Sequence, residues 1–357
     1  MSRRVAAWVP AFGAAVAMLV PGGAGAASPP LLQGITCRGP AFCFAVGSSG
    51  SKPGIVRYDG AHWTTMASPA VSGGLLYGVA CSSTTKCFAV GSRGPTGNKR
   101  TLVERWNGSS WQVVSTPNAP GSNELRSVAC PTASFCAAAG SSNVEVRPVA
   151  LVEHWNGQSW KVMANPRLEG SGYSESALTG MSCTSAKQCF AAGSTEWNYT
   201  VKTLILRWDG RAWSVSARQG ANGPQKVLYG VSCASGTACM AVGQTQSDPP
   251  IVLLKDRWNG KQWSLTASPQ KGPRTDLLFN AVSCASPTAC LAVGNRNYSV
   301  SYAERWDGTT WSRTTPQPPG MNLSGVACPT ANECYAVGGN AVERWRPGSW
   351  TTLATSS

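Results

Sequence analysis

Seven cysteine pairs at one constant spacing constrain this chain more than any other feature. Each pair reads C-x5-C, and together the pairs use all 14 cysteines. The first cysteines of successive pairs lie 44 to 53 residues apart, a period typical of propeller blades. The pairs are Cys37 and Cys43, Cys81 and Cys87, Cys130 and Cys136, Cys183 and Cys189, Cys233 and Cys239, Cys284 and Cys290, and Cys328 and Cys334.

Each unit predicts four short β-strands, and the second unit shows the pattern most clearly. Its residues predict strands over 76–81, 87–91, 101–106 and 111–115. The dipeptide Asn107-Gly108 predicts a tight hairpin turn, because both residues tolerate positive φ. Four antiparallel strands repeated seven times predict an all-β fold, a seven-bladed β-propeller whose stacked blades bury each other's apolar faces. The blades are expected to begin near residues 31, 75, 125, 178, 228, 278 and 323.

The repeated motifs resemble those of one known group of propellers. Three segments recur, and they read L-x-G-V-x-C, C-x-A-V-G and R-W-[ND]-G-x-x-W. They are similar to the BNR or Asp-box repeat, and most similar to the repeat of secreted seven-bladed proteins related to photosystem assembly factors. The last unit departs from the pattern and reads Trp345-Arg346-Pro347-Gly348-Ser349-Trp350. The resemblance covers residues 31–352 and implies the propeller fold, but it implies no particular ligand.

The cysteines and most of the tryptophans are expected to stabilise the blades. A C-x5-C pair across a polar turn favours a disulfide between neighbouring strands of one blade. A zinc site needs four converging ligands, usually at C-x2-4-C spacing, so we expect no metal and no cofactor. Thirteen of the 15 tryptophans recur in the last two strands of the units, which indicates packing.

An arginine precedes the first aromatic residue of the third strand in most units, as Arg105 does in the second. We expect this arginine to stack on a neighbouring tryptophan. A glutamate often precedes the arginine, and we expect the two to pair. These glutamates are Glu104, Glu153, Glu304 and Glu343.

The first 27 residues have the pattern of a signal peptide. Arg3 and Arg4 precede an apolar stretch that extends to Val20, and Ala24-Gly25-Ala26 is typical of a cleavage site. We therefore expect a secreted or cell-envelope protein without a transmembrane anchor, with one propeller domain over 28–357. The exported cysteines are expected to be oxidised, and the closed ring is expected to be a monomer.

The charge balance favours acidic partners. The chain has a formal net charge of +14, although only 13 % of its residues are charged. A basic excess attracts an anionic glycan, a cell-envelope polymer or an acidic protein surface. The sequence contains no dense run of Lys and Arg, so binding of nucleic acid is not expected.

Binding residues are expected on one side of the propeller. In a four-stranded blade, the loops between the second and third strands and the blade-to-blade connections open on the same side, and these segments vary in length. Variable loops on a rigid scaffold usually carry binding. Tyr302 is also assigned to this side as an aromatic residue outside the repeat. The candidate binding residues are Lys99, Arg100, Trp197, Tyr199, Arg274, Arg296 and Tyr298.

No catalytic residue can be assigned, and three functions stay open. His62 and His154 are expected to be structural or exposed. We expect a non-catalytic binding protein whose partner is an anionic glycan or a protein. One alternative is a polysaccharide or lactone lyase or hydrolase, which needs two converging acidic residues; another is a structural envelope component. The acidic residues outside the repeat are Glu124, Glu145, Glu169, Glu175, Glu196, Asp248 and Asp276.

Overall fold

A computed structural model describes most of the chain after its first 28 residues. The described residues are 29–144, 147–166, 168, 174–219, 225–245, 251–268, 276–297, 299–316, 321–353 and 355–356. The expected signal peptide and two of the candidate binding residues, Arg274 and Tyr298, lie outside them. Within these ranges, no helix has the length and apolar character needed to cross a membrane.

The strands form seven four-stranded antiparallel sheets, which confirms the predicted seven-bladed propeller. In blade order the strands are β1 Leu31–Cys37, β2 Cys43–Ser49, β3 Lys52–Tyr58 and β4 Trp63–Met66; β5 Leu75–Ser83, β6 Lys86–Arg93, β7 Arg100–Trp106 and β8 Trp111–Val114; β9 Ser122–Thr132, β10 Phe135–Val144, β11 Arg147–Trp155 and β12 Trp160–Val162; β13 Ser174–Ser185, β14 Gln188–Trp197, β15 Thr200–Trp208 and β16 Trp213–Gln219; β17 Lys226–Ser235, β18 Ala238–Thr245, β19 Leu253–Trp258 and β20 Trp263–Ser268; β21 Leu277–Ser286, β22 Ala289–Arg296, β23 Val300–Trp306 and β24 Trp311–Thr314; β25 Gly325–Thr330, β26 Glu333–Gly338, β27 Ala341–Arg346 and β28 Ser349–Leu353.

Short polar turns set the register of the outer hairpins. In the second blade, the Asn107 side-chain oxygen accepts hydrogen bonds from the backbone N–H groups of Ser109 and Ser110, both at 2.9 Å. Gly108 follows with a φ of 104°, a conformation that glycine adopts without strain. The turn brings Trp106 directly opposite Trp111 in the ladder. The sequence prediction of a hairpin at this dipeptide is therefore confirmed.

Seven disulfides join the first two strands of the blades, one disulfide in each blade. The two cysteines are direct ladder partners in five of the blades, as Cys81 and Cys87 are in the second. The polar turn between them places their side chains on the same face of the sheet, as the spacing predicts. Disulfides at this density are typical of proteins that fold in an oxidising compartment.

Aromatic side chains fill the junctions between neighbouring blades. Phe88 of the second blade packs against Trp155 and Trp160 of the third, with ring centroids 5.1 and 5.2 Å apart. The guanidinium of Arg105 lies 5.6 Å from the Trp155 ring. Comparable arginine–tryptophan contacts recur at three further junctions, so the predicted stacking is confirmed there. Arg57 of the first blade stacks on Phe42 instead, within its own blade.

The predicted pairing of the glutamates with these arginines is wrong. Successive residues of a strand point to opposite faces, so Glu104 and Arg105 enter different junctions. Glu104 is fully buried and accepts a hydrogen bond of 2.9 Å from the Ser68 hydroxyl. Glu304 forms a buried ion pair with Lys255 of the preceding blade. The carboxyls therefore belong to the interior of the junctions and not to the arginine stacks.

The ring is closed by packing and by one added strand. Tyr335 of the last blade packs against Tyr58 and Trp63 of the first, with centroids 5.4 and 6.1 Å apart. A two-residue strand, β29 Thr355–Ser356, pairs in parallel with β4, the outermost strand of the first blade. Closure therefore joins the end of the described chain to its first blade, a connection that the sequence pattern did not show.

Candidate functional site

The propeller has two unlike faces. The disulfide-bonded turns and the outer hairpin turns lie together on one face, which we call the Cys-turn face. The hairpins between the second and third strands and the blade-to-blade connections lie on the opposite face, which we call the variable face. This division follows from the antiparallel order of every sheet. Loops that differ in length and chemistry between blades are therefore collected on one side.

The first strands of the blades form the wall of the central axis, and six of them carry a bulge there. The strands pack side by side: a Cβ added to Gly34 would lie 2.4 Å from the Tyr77 carbonyl oxygen of the next blade. One residue in each of the first six innermost strands is skipped in the ladder. In the last blade, the Ser324 N–H donates to the Val337 carbonyl at 2.7 Å, and the next residue, Gly325, is the ladder partner of Val337. We call these seven half-buried positions the axial ring; they are Gln33, Tyr77, Arg126, Thr179, Tyr229, Asn280 and Ser324.

A preorganised charge cluster stands in the axial ring between the second and third blades. The Arg126 guanidinium lies 4.1 Å from the centroid of the Tyr77 ring. Its Nε donates to Glu124 Oε1 at 2.7 Å, and its Nη2 lies 2.5 Å from the same oxygen. The Lys99 ammonium binds the other carboxylate oxygen, Oε2, at 3.1 Å. One carboxylate therefore orients two cations from two different blades.

The electrostatics of this cluster leave an excess of positive charge. Burial acts to raise the pKa of Glu124, but the charges of Arg126 and Lys99 outweigh it and hold the pKa below its usual value. Glu124 is therefore ionised at neutral pH, and the three groups together carry one net positive charge. Glu124 occupies the Nε side of the guanidinium, so the N–H groups at the opposite end are left to bind a second acceptor. An oxyanion ligand fits that end.

A second group of side chains stands at the tip of the hairpin between β14 and β15. Trp197 is 38 % exposed and Tyr199 is 75 % exposed, which is unusual for large aromatic rings. Asn198 and Tyr199 form the two-residue turn with φ angles of 48° and 61°. Positive φ is uncommon for tyrosine, and the turn holds its ring out from the blade. The hairpin therefore presents two aromatic rings to solvent on the variable face.

Two acidic residues meet in the ladder of the same blade, next to this hairpin. Glu175 of β13 and Glu196 of β14 are direct partners in the ladder. Burial, and then the charge of Glu175, raise the pKa of Glu196. Like charges placed directly opposite destabilise a sheet, so this pair is not explained by stability. It is the one close pair that the structure forms from the described acidic residues outside the repeat that were considered as catalytic candidates.

The structure disperses the other candidate binding residues. Lys99 belongs to the charge cluster, whereas Arg100 is exposed and stands opposite Arg93 at the end of the β6–β7 hairpin. Arg296 ends β22 in the sixth blade and is half-buried. Tyr302 does not belong to this surface: it is 7 % exposed, and its hydroxyl donates to Glu304 at 2.6 Å. The alternating pattern of β23 turns its ring into the junction with the fifth blade.

The histidines have the structural roles that were expected. The Trp213 indole N–H donates to His154 Nε2 at 3.1 Å, and burial lowers the pKa of His154 to about 4. The imidazole is therefore neutral and acts as a hydrogen-bond acceptor inside a junction. His62 is exposed in the outer turn of the first blade.

Sequence reasoning missed the axial ring, although the repeat contains a signal for it. In the motif L-x-G-V-x-C, the leucine, the small residue and the cysteine recur, while the residue after the leucine differs in chemistry from blade to blade. Arg126 and Tyr77 occupy this variable position. A position that changes while its neighbours recur is not fixed by the packing common to all blades, although some of its side chains, such as that of Thr179, bond the next blade. The bulge itself could not be read from the pattern, because it depends on the approach of the next strand.

Comparisons with known proteins give the fold and no family. No protein-family model matches the chain, and no curated protein matches it. It is similar to the structure of YCF48 bound to a D1 peptide, with 11 % identity and a TM-score of 0.58 over 89 % of this chain and 94 % of that chain. It is also similar to the GH74 xyloglucanase of Xanthomonas campestris, with 13 % identity and a TM-score of 0.60 over 90 % of this chain. The match spans about half, 52 %, of the xyloglucanase.

A third similar structure is a PL25 polysaccharide lyase, ulvan lyase, bound to -[GlcA(1-4)Rha3S]-. Its identity is 9 % and its TM-score 0.56, over 92 % of this chain and 97 % of that chain. At these identities the likeness concerns the propeller alone. The three proteins bind a peptide or act on glycans, so function has to be argued from the residues of this chain.

Proposed function

We propose that the protein is a secreted, non-catalytic binding propeller whose variable face binds an acidic glycan or an acidic protein segment. In this proposal residues 1–27 direct export and are removed, and residues 28–357 form the single functional domain. The disulfides keep the scaffold rigid outside the cell, while the axial ring and the surrounding hairpins contact the partner.

The charge cluster around Arg126 carries this proposal. A guanidinium that is stacked on Tyr77 and oriented by Glu124 has little freedom left to lose when a ligand binds. Its outer N–H groups donate hydrogen bonds to a carboxylate or a sulfate in a planar, directional geometry, which lysine alone does not offer. Lys99 adds charge beside it, and Arg93 and Arg100 extend the basic surface toward the rim.

A charge-reversal experiment tests the assignment of the face. Reversal of Lys99, Arg100 and Arg274 to glutamate should weaken binding to immobilised polygalacturonate by at least about tenfold, equal to roughly 1.4 kcal/mol. The loss should shrink as salt is added, because exposed charges are screened within about 8 Å at physiological ionic strength. Surface plasmon resonance at two salt concentrations measures both effects, with uncharged dextran as the reference surface.

The matched control lies on the Cys-turn face. Lys86 and Lys187 are exposed beside the disulfide-bonded turns, and their reversal to glutamate changes the net charge of the chain in the same direction. We expect this control to retain most of the binding. Equal losses for both sets would show that overall charge, and not the variable face, attracts the polymer.

The pair Glu175 and Glu196 favours a second candidate function, a lyase or hydrolase acting on a polysaccharide. Direct ladder partners have Cβ atoms about 4.5–5.5 Å apart, close enough for two carboxyls to act on one glycosidic bond. The raised pKa of Glu196 favours the protonated form that a general acid needs. Incubation with acidic polysaccharides, followed by assays for reducing ends and unsaturated products, tests this function. Activity that Glu196→Gln abolishes would replace the binding proposal with an enzymatic one.

A further inference from the structure

A cavity opens between the sixth and seventh blades, on the Cys-turn face and away from the axis. Its volume is about 600 Å³, within the range of small-molecule sites. Its walls come from the outer strand β24 and from both turns of the last blade, including Asn332 and Ser349. It shares no residue with the axial ring or with the β14–β15 hairpin.

The cavity lies where the aromatic packing of the repeat is interrupted. At the junction of the first two blades, Phe44 packs against Trp106 and Trp111, with centroids 5.3 and 5.0 Å away. The corresponding residue at this junction is Leu291, which fills less volume than phenylalanine. Trp350 is only partly buried and lines the cavity, whereas its counterpart Trp111 is 4 % exposed.

The outer turn of the last blade also departs from the repeat. Arg346 stands where other blades have Asn or Asp, so this turn lacks the side-chain acceptor that closes the turn at Asn107. The Arg346 guanidinium instead binds Glu333 Oε1 of its own blade, with Nη2 at 2.8 Å and Nε at 3.1 Å. The segment Pro347 to Ser349 is left as a wall of the cavity.

The lining combines one aromatic plane with hydrogen-bonding groups and positive charge. The Trp350 indole N–H donates to Thr314 Oγ1 at 3.1 Å, which leaves the Thr314 hydroxyl proton to donate elsewhere. The Arg305 guanidinium lies 5.4 Å from the Trp345 ring, beside the same wall. None of the described lining residues is acidic.

Arg313 also lines the cavity, but it does not add its charge to it. Arg313 stands opposite Glu304 in the ladder, and its guanidinium lies 5.5 Å from the Tyr302 ring. That contact places its charged end on the face of the sheet that meets the fifth blade. Arg305 stands opposite Ser312, on the face that meets the last blade, so it supplies the positive charge of this site.

We infer that this cavity binds one acidic sugar unit, a pyranose ring that carries a carboxylate. The ring fits against the exposed part of Trp350, and the carboxylate pairs with Arg305. The sugar hydroxyls exchange hydrogen bonds with Thr314, Ser312 and Asn332. Aromatic planes bordered by a few convergent polar groups bind ligands that are apolar on one face and polar at the edge. The site is independent of the variable face, so the protein would hold ligands on both faces.

Isothermal titration calorimetry of the oxidised protein with sodium glucuronate tests this site, with glucose as the uncharged reference. We expect glucuronate to bind and glucose to bind at least about tenfold more weakly, because only glucuronate offers a charge to Arg305. Ser312→Leu places a bulky side chain in the cavity and should abolish binding. Ser349→Leu, on the wall formed by the outer turn of the last blade, should also abolish it, without lowering the thermal midpoint.

The chain supplies its own matched control for these variants. Ser264 occupies the position of Ser312 in the fifth blade and is exposed, so Ser264→Leu should leave glucuronate binding unchanged. The titrations of all variants are made in the Arg126→Gln background, which removes the proposed axial site, so the heat of glucuronate binding reports on this cavity alone. Absence of binding to the unmodified protein would overturn the inference. So would glucuronate binding that survives Ser312→Leu, or equal losses from Ser264→Leu and Ser312→Leu.

Discussion

At the scale of single residues, the junctions between blades bury carboxyl groups that ordinary propeller packing does not need. Glu153 and Asp256 are fully buried, and burial raises the pKa of Glu153 to about 8 and that of Asp256 to about 7. Burial also raises the pKa of Glu104 and of Glu343 to about 7. These groups are therefore protonated in the folded protein at a pH where they would be ionised in the unfolded chain.

We predict that the free energy of unfolding falls as the pH rises from 5 to 9. The folded protein holds more protons than the unfolded chain between pH 4.5 and 8, so the stabilisation present below pH 4.5 is lost as the pH passes 7 to 8. His154 acts oppositely: its lowered pKa removes stability as the pH falls from 6.5 through about 4. Because the four carboxyl groups outweigh this one histidine, the highest stability is expected at or below pH 5, as measured by urea unfolding.

The Glu153→Gln variant isolates the largest of these contributions. It should raise the free energy of unfolding at pH 9 by on the order of 4 kcal/mol and change it much less at pH 5. Urea unfolding at several pH values gives the slope of the free energy of unfolding against pH, and the slope for Glu153→Gln is compared with that for the unmodified protein. Parallel slopes would mean that the Glu153 carboxyl is ionised in the folded state.

At the scale of strands and hairpins, two kinds of tryptophan have different tasks. Trp106 is 2 % exposed and packs with Phe44 and Trp111, while its indole N–H donates to the Thr84 carbonyl at 3.1 Å. Trp197 is exposed at a hairpin end. Trp106 stands at a strand position that recurs from blade to blade, whereas Trp197 stands in the β14–β15 hairpin, at a position that does not recur.

We predict that Trp106→Ala lowers the free energy of unfolding by about 3–5 kcal/mol, the cost of removing a buried aromatic ring. Trp197→Ala should change it by less than about 1 kcal/mol, as expected for an exposed position, and should weaken capture of an acidic partner on the variable face. Chemical unfolding and surface plasmon resonance measure the two effects separately. A large stability loss from Trp197→Ala would assign that ring to packing.

The contrast between repeated and non-repeated positions also explains which features could be predicted from the sequence. Strand order, disulfides, outer turns and arginine stacks each follow from residues that recur in six or all seven units, so local pattern and blade geometry were sufficient. The meeting of Arg126 with Tyr77, and of Lys99 with Glu124, joins residues from different blades at positions that do not recur. Their contact depends on bulges and on the spacing of neighbouring strands. The cavity beside Trp350 was equally hidden, because its walls come from two blades that meet only in the folded ring.

At the scale of the whole molecule, the stability of the ring depends on the junction between the last and first blades. Six junctions join consecutive blades, whereas this one joins blades from opposite ends of the sequence. Tyr335 and Trp63 pack across it, the Leu32 N–H donates to the Gly339 carbonyl at 2.6 Å, and β29 adds to β4. These contacts hold the first blade at its innermost strand, β1, and at its outermost strand, β4.

We predict that removal of residues 354–357 loosens this junction without unfolding the other blades. The two-residue ladder supplies a few backbone hydrogen bonds, each worth about 0.5–1.5 kcal/mol. Hydrogen exchange should therefore accelerate in β4, while β8, the equivalent strand of the second blade, keeps its protection. Unchanged exchange in β4 would show that aromatic packing alone closes the ring.

The bulges of the first six innermost strands have an evolutionary consequence. Because each bulge takes one residue out of the ladder, the ladder does not require one residue type at that position. Gln33, Tyr77 and Thr179 occupy this position with three different chemistries, and the blades that carry them share one architecture. After gene duplication, the seven residues of the axial ring could be substituted one at a time, and the protein could acquire a new partner while the scaffold stays unchanged.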